Sequence, residues 1–208
     1  MQTLPVRLAL VVLGAALVLA GCSDDDEGPS STPSGDSQRE ITLPDSLGDL
    51  LSFDAACAER DENADLCQEN AEDRQEVVLA AADNLSEAYD GAATAAREYT
   101  TPELDRFAQL LAVAAPSPGL WTSESDVSAE YTHVGHPREW VEERDGIQCL
   151  AATTVSVREG EELDPDDTIV IRCQATDDGL TVLLRPAGGE ISLDEAFDWT
   201  SEAFEAAS

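Results

Sequence analysis

Residues 140–157 have the sequence WVEERDGIQCLAATTVSV, and this stretch decides the fold because it predicts a β-hairpin. Asp145-Gly146 is a dipeptide favoured at two-residue hairpin turns, in which both central positions need a positive φ. The turn lies between two strand candidates, Trp140–Glu143 and Ile147–Val157. The second half of the chain is therefore predicted to pair its strands in antiparallel fashion.

The pattern of this hairpin continues to Pro186. Ile169, Ile171 and Cys173 alternate with the residues between them, as expected of a strand that buries one face. Asp177-Asp178-Gly179 then marks a turn into a further apolar run that starts at Leu180. Residues 138–186 are therefore predicted to form an antiparallel meander.

Helices are predicted on both sides of this meander. Apolar residues recur at threes and fours from about Asp65 to Asp90, and Gly91 follows where a helix commonly ends. Ser192-Leu-Asp-Glu195 has the pattern of a capping box and starts a final helix, whose apolar stripe suits it to cover the sheet. The predicted class is α+β, with an antiparallel sheet (meander) and helices packed on one face.

The N-terminus carries a short basic region and an apolar run that reaches from Leu8 to Ala20. It closes with Leu19-Ala20-Gly21-Cys22, which resembles the lipobox of a bacterial lipoprotein signal peptide. The resemblance implies cleavage before Cys22 and lipidation of Cys22. The alternative is an uncleaved anchor with Cys22 unmodified. Both place the remaining chain on the extracytoplasmic face of the cell membrane. The run is too short for an ordinary bilayer span and fits the apolar region of a signal peptide.

The remaining chain divides into two parts after a signal peptide at residues 1–21. Residues 22–46 are acidic and rich in Ser and Pro, and this composition predicts a flexible tether. Residues 47–208 are enough for one globular α+β domain.

Four cysteines remain when Cys22 is assigned to the lipid, and an even number in an exported chain predicts two disulfides. Three pairings are open. We favour Cys57 with Cys67, as a local link, and Cys149 with Cys173, as a link between strands that face the same core.

Charge excludes one class of partner. The chain has 44 acidic and 11 basic residues, all of the latter arginine, and a formal net charge of −33. Nucleic-acid binding depends on basic residues that neutralise phosphates, so we expect no nucleic-acid partner. Membrane association is expected through the lipid anchor alone.

Residues 91–115 are ambiguous. Propensity favours a helix that begins near Thr101-Pro102, whereas alternating residues allow a hairpin that turns there. Short motifs, among them Ala88–Ala93, Pro116-Ser117-Pro118 and Cys173-Gln174, resemble exported or membrane-anchored proteins of high-GC Gram-positive bacteria, which have no assigned activity. In those proteins the corresponding stretch is a strand hairpin, and on this resemblance we predict strands.

The loop at 116–137 concentrates the unusual side chains. His133 and His136 are the candidates for a metal site, but a metal needs three or four ligands and the sequence indicates no third. Trp121, Tyr131 and Trp140 are the candidates for ligand contact.

No catalytic signature appears, so no catalytic residue and no cofactor are predicted. We expect a non-catalytic binding or interaction module for a protein or a small molecule. One alternative is an exported hydrolase or metal-dependent enzyme that uses the 116–137 loop, and a third possibility is a purely structural or stress-related surface protein.

Overall fold

The computed structural model describes residues 40–60, 62–122 and 135–208. Its strands are β1 (Ser46–Leu47), β2 (Leu50–Ser52), β3 (Thr94–Thr100), β4 (Phe107–Val113), β5 (Glu139–Arg144), β6 (Ile147–Thr153), β7 (Thr168–Thr176) and β8 (Thr181–Gly188). The helices are α1 (Phe53–Ala58), α2 (Ala64–Ala88) and α3 (Leu193–Ala207), and a short 3-10 helix covers Pro165–Asp167. None of these helices has both the length and the apolar character needed to cross a bilayer.

The strands of the described chain form one eight-stranded sheet in the order β1-β2-β3-β4-β8-β7-β6-β5. Every neighbouring pair is antiparallel. β1–β4 form one meander and β5–β8 a second, and β4 pairs with β8 to join them. The α+β prediction with an antiparallel meander is confirmed. β4 and β5 are consecutive in the chain but are separated in the sheet by β8, β7 and β6.

The predicted turn at Asp145-Gly146 is present. Both residues have positive φ, 51° and 80°, as a tight two-residue turn requires. Arg144 and Ile147 lie opposite each other on either side of it. The turn therefore fixes the register of the outermost hairpin.

β7 departs from the predicted alternation at a β-bulge. The register with β6 shifts between Leu150 and Ala151, which makes Ile171 the extra residue. Val170 is consequently buried, whereas Ile169 and Ile171 are 50% and 37% exposed. The prediction that Ile169 and Ile171 face the core is wrong, because a bulge resets which residues point inward.

Residues 94–113 form the hairpin that the family resemblance implied. β3 and β4 pair along their whole length. Every second residue of β4, Ala108, Leu110 and Ala112, is fully buried, and Gln109 lies opposite Glu98 on the other face. The helix favoured by propensity is wrong here, because burial between strands outweighs a local preference.

The main core lies between one face of the sheet and α3. The predicted capping box is present: Ser192 Oγ accepts from the backbone N–H of Glu195, and the Glu195 carboxylate accepts from the backbone N–H of Ser192. Among the residues that α3 buries are Ala196, Phe197, Trp199 and Ala203. They pack on the sheet face that includes Tyr99, Leu110, Val182, Leu184 and the Cys149–Cys173 disulfide.

α2 spans most of the predicted region and ends at Ala88, two residues before the predicted end, because Asp90 and Gly91 are both left-handed. Gly91 has a φ of 83°, and its N–H donates to the carbonyl of Ser86 at 2.8 Å. Ala71, Val78 and Ala82 form the buried side of the helix. A left-handed residue just past a helix is the usual way to satisfy its last carbonyls.

α1 and α2 lie against the opposite face of the sheet from α3. Arg74 of α2 forms an ion pair with Glu98 and stacks on Phe107, and Thr94 Oγ1 donates to a carbonyl of α2 at 3.1 Å. These strand residues alternate with Ala108 and its neighbours, which point into the main core. The helices therefore cover both faces, and not the single face that the sequence suggested, because the second face carries apolar side chains of its own.

Two residues of β3 bind the segment that precedes β1. Arg97 Nη1 donates to the carbonyls of Leu43 and Pro44 at 3.1 and 2.6 Å, and the Tyr99 hydroxyl donates to the Pro44 carbonyl at 2.7 Å. Burial raises the pKa of Tyr99 well above its usual value, and Arg97 offsets this only in part. Leu43 is buried. Leu43 and Pro44, which were predicted to belong to the flexible tether at 22–46, therefore pack on the domain.

The favoured disulfide pairing is confirmed. Cys57–Cys67 joins α1 to α2, and Cys149–Cys173 joins β6 to β7. Cys149 and Cys173 are fully buried. Paired cysteines cannot supply a thiolate, so these four residues serve stability.

Candidate functional site

A groove of about 320 Å³ runs along β5 on the α3 side of the sheet. Trp140, Glu142 and Arg144 line it from β5, since every second residue of a strand faces the same way. The other walls come from the β6–β7 connection and the first turn of α3, with residues Leu163, Pro165, Thr168, Ser192, Leu193 and Asp194. We call this the β5–α3 groove. Its volume is within the range usual for ligand sites.

Arg144 ties β5 to α3 across the groove. It forms ion pairs with Asp194 and with Glu142, the latter at 2.6 Å, and its guanidinium carbon lies 4.5 Å from the centre of the Phe197 ring. Hydrogen bonds accepted by Asp194 and Glu142 raise the pKa of Arg144. Exposed ion pairs add at most about 1 kcal/mol, so these contacts mainly fix the shape of the groove.

His136, a candidate metal ligand, and Trp140, a candidate for ligand contact, both line the groove. Their rings pack edge to face with centroids 4.4 Å apart. His136 Nδ1 lies 2.8 Å from the Pro137 carbonyl, which can only accept, so Nδ1 carries the proton. In the neutral ring Nε2 is then the nitrogen that can accept a hydrogen bond from a ligand.

The other predicted site residues are not brought to the groove. Trp121 is 74% exposed and does not line it. Tyr131 and His133 lie outside the described residues. Within residues 40–60, 62–122 and 135–208, no group of three or more His, Cys, Asp or Glu side chains is placed to hold a metal ion.

Residues 114–122, which we call the strap, cross the sheet face opposite α3 on the way from β4 to β5. Gln174 Nε2 donates to the Pro118 carbonyl at 2.8 Å, and the Leu120 N–H donates to Gln148 Oε1 at 2.9 Å. Thr122 Oγ1 reaches Glu139 of β5 at 3.3 Å. Two buried or half-buried glutamines therefore replace backbone pairing and hold the strap on the sheet.

A second cavity lies between the strap and the end of α2. It measures about 170 Å³, with apolar walls from Leu85, Leu111 and Leu183 among others. The Tyr89 hydroxyl is hydrogen-bonded to Ser117 Oγ at its rim. Its volume is below the range usual for ligand sites, so the β5–α3 groove is the better candidate.

A third hollow, of about 490 Å³, lies beside α1 and the turn between β3 and β4. Its walls are Glu59, Arg60, Glu62, Pro102 and Glu103. Three of these five residues are acidic and none is aromatic, so the hollow lacks a platform that would orient a ligand. We therefore do not assign a site there.

Sequence reasoning missed most of the groove. Alternation along β5 could have grouped Glu142 and Arg144 with Trp140, and the capping box could have located the start of α3. Leu163, Pro165 and Thr168 carry no such signal, because only the sheet order brings them to β5. Comparison of the chain with protein-family models, curated proteins and solved structures gives no match. Function is therefore inferred from these residues and their geometry.

Proposed function

We propose that this chain is a lipid-anchored protein of the cell membrane whose domain works on the extracytoplasmic face. The support is the lipobox-like Leu19-Ala20-Gly21-Cys22 followed by a polar, acidic stretch. The two disulfides fit an oxidising compartment. In this proposal Cys22 carries the lipid, and the stretch after it holds the domain away from the bilayer.

The domain is proposed to be a non-catalytic binding module, and the β5–α3 groove is the observation that carries this proposal. An indole, an imidazole and two carboxylates meet there with apolar side chains in a concave surface of suitable size. The charged groups of the groove are paired with one another, as expected of a shaped binding surface. The pKa shifts resolved in the described residues belong to Tyr99, Arg144 and Glu195, each of which holds elements of the fold together.

The ligand is proposed to be a protein segment or a small molecule. Nucleic acid is disfavoured, because the net charge of −33 repels a phosphate backbone. The groove offers Trp140 as an apolar platform and Glu142 and Asp194 as acceptors. These groups favour ligands that combine an apolar part with hydrogen-bond donors.

The anchor is tested by fractionating a bacterium that processes lipoproteins and expresses the full chain. The wild type and a Ser23→Ala control are expected in the membrane fraction, released by detergent and not by high salt. Cys22→Ala removes the acylated sulfur and is expected to lose this association or to keep an uncleaved N-terminus. Identical processing and partition of Cys22→Ala would contradict the proposed anchor.

The groove is tested by NMR on the full chain in detergent micelles against a library of small fragments that includes amines, carboxylates and aromatics. Bound fragments are expected to shift the indole N–H of Trp140 and leave that of Trp121 in place. Trp140→Ala should abolish the shifts that bound fragments cause in the signals of the other groove residues. Trp121→Ala is the matched control and should leave those shifts unchanged. The proposed binding site would be contradicted if the fragments shifted the indole N–H of Trp121 more than that of Trp140, or shifted neither. Zinc bound by the wild type and lost in His136→Ala would instead favour a metal-dependent enzyme.

A further inference from the structure

β5 is the outermost strand of the described sheet, and half of its backbone groups point away from β6. Arg144 and Ile147 flank a two-residue turn, and such a pair exchanges both of its backbone hydrogen bonds. Hydrogen-bonded and non-hydrogen-bonded pairs then alternate along an antiparallel ladder. The N–H and carbonyl groups that face outward are consequently those of Glu139, Val141 and Glu143.

The position of the second disulfide supports this register. Cys149 lies opposite Glu142 on one side and Cys173 on the other. The Cα atoms of Cys149 and Cys173 are 4.0 Å apart, the close spacing of a pair that exchanges no backbone hydrogen bonds. The backbone of Cys149 therefore forms its hydrogen bonds with Glu142. The outward N–H and carbonyl groups of β5 consequently belong to the residues that alternate with Glu142, which are Glu139, Val141 and Glu143.

The outward edge and the β5–α3 groove are continuous. Trp140 and Glu142 face the groove, so a chain added beside β5 would place every second side chain there, next to Leu193. Its remaining side chains would lie on the other face, beside Glu139 and Glu143. A strand that is outermost among the described residues and lies next to a lined groove is the arrangement that extended peptides use for strand addition.

Charge determines which segment fits this edge. Glu139, Glu142 and Glu143 lie on β5, whereas the guanidinium of Arg144 is already engaged by Glu142 and Asp194. A second copy of the chain would set these carboxylates against their own counterparts, and the net charge of −33 opposes that approach. A basic segment is attracted by the same charges.

We propose that β5 and the β5–α3 groove bind an extended basic segment of another protein by β-strand addition. The segment has apolar side chains at alternate positions, which enter the groove, and arginine or lysine between them, which pair with Glu139 and Glu143. This inference rests on the proposed binding function and names its ligand class.

The test uses the isotope-labelled full chain in detergent micelles and a blocked heptapeptide that alternates valine and arginine. Binding is expected to protect the amides of Val141 and Glu143 from hydrogen exchange, whereas the amide of Glu142 is already protected in the free protein. Added salt should weaken binding.

Val141→Pro removes one outward N–H and leaves the ladder to β6 intact, which edge strands tolerate. It should weaken binding about tenfold, and Val141→Ala, which keeps the N–H, should bind like the wild type. The same test is made on the wild-type protein with a peptide whose β5-facing amides are N-methylated, and this peptide should bind at least about tenfold more weakly.

Any one of four results would overturn the inference. Equal binding of the N-methylated peptide would exclude strand addition, and equal binding of a peptide with glutamate in place of arginine would exclude the charge selection. Protection of Val141 and Glu143 in the free protein would show that the chain covers its own edge. Fragments that still shift the Trp140 indole would leave the proposed binding function standing, whereas silence of that indole toward every ligand would remove both proposals.

Discussion

Replacing Cys149 and Cys173 together by alanine is predicted to destabilise the domain more than replacing Cys57 and Cys67. The bridged residues are 24 apart in the first pair and 10 in the second, and loop-closure entropy then gives about 3.5 and about 2.8 kcal/mol. Cys149 and Cys173 are also fully buried in the main core, where loss of their sulfur atoms leaves a void that costs about 1 kcal/mol or more. Cys57 and Cys67 are buried as well, but they belong to a small separate cluster beside Phe53, where the loss of their sulfur atoms breaks fewer contacts. We therefore expect losses of about 4–5 and about 3 kcal/mol.

The assay is urea unfolding followed by circular dichroism, with both double variants compared with the wild type at one protein concentration. With a slope of about 2 kcal/mol per molar urea, the Cys149 and Cys173 variant should unfold about 2 M earlier than the wild type. The reasoning would be refuted if this variant were as stable as the Cys57 and Cys67 variant or more so. In that case β6–β7 pairing would not belong to the cooperative core.

Three further substitutions test separate parts of the fold by the same unfolding assay. Burial tends to raise the pKa of Glu195, but hydrogen bonds from Ser192 and Arg106 outweigh this effect and lower the pKa below its ordinary value of 4.5. The ionised carboxylate therefore stabilises the folded domain at neutral pH. This contribution is lost as the pH falls through the lowered pKa. Glu195→Gln should cost about 0.5–1 kcal/mol at pH 7 and progressively less in acid, and a loss independent of pH would contradict this. Gly146→Ala should cost about 1–2 kcal/mol from backbone strain alone, because no other atom lies within 4 Å of the added methyl group; an unchanged stability would argue against the tight turn. Leu110→Ala removes a fully buried side chain and should cost about 2–5 kcal/mol, whereas a loss under about 1 kcal/mol would place it outside the core.

Local signals in the sequence predicted local structure well. Asp145-Gly146 located the outer hairpin and Ser192–Glu195 located the start of α3, because each motif satisfies its own backbone groups without help from distant residues. Gly91 marked the end of α2 for the same reason. The cysteine pairing also followed, since Cys149 and Cys173 lie on neighbouring strands of one meander.

Structure that depends on distant contacts was harder to predict. Residues 94–113 have helical propensity, and pairing with β8 and burial of Leu110 override it. The bulge at Ile171 has no sequence signal of its own, so the inward face of β7 was misassigned. No local pattern in the sequence indicated that β4 pairs with β8, and this contact joins the two meanders into one sheet.

The candidate site shows the same division. His136 was named as a candidate metal ligand and Trp140 as a candidate for ligand contact, and both line the β5–α3 groove. Leu193 and the β6–β7 connection joined the groove unforeseen, because tertiary packing and not a local pattern brings them beside β5. Arg144 and Asp194, which meet at the groove, are 50 residues apart in the chain. Trp121 was singled out by residue type, and its exposed position away from the groove shows that residue type alone does not locate a site.

The central claim, a domain tied to the outer side of a membrane through Cys22, is tested most directly by mass spectrometry of the N-terminal peptide. The sample is the full chain purified from the membranes of a bacterium that processes lipoproteins. We predict that the mature chain begins at Cys22 and that its sulfur carries a diacylglyceryl group. A chain that begins at Met1 with an unmodified Cys22, or one recovered from the cytosol, would contradict the claim.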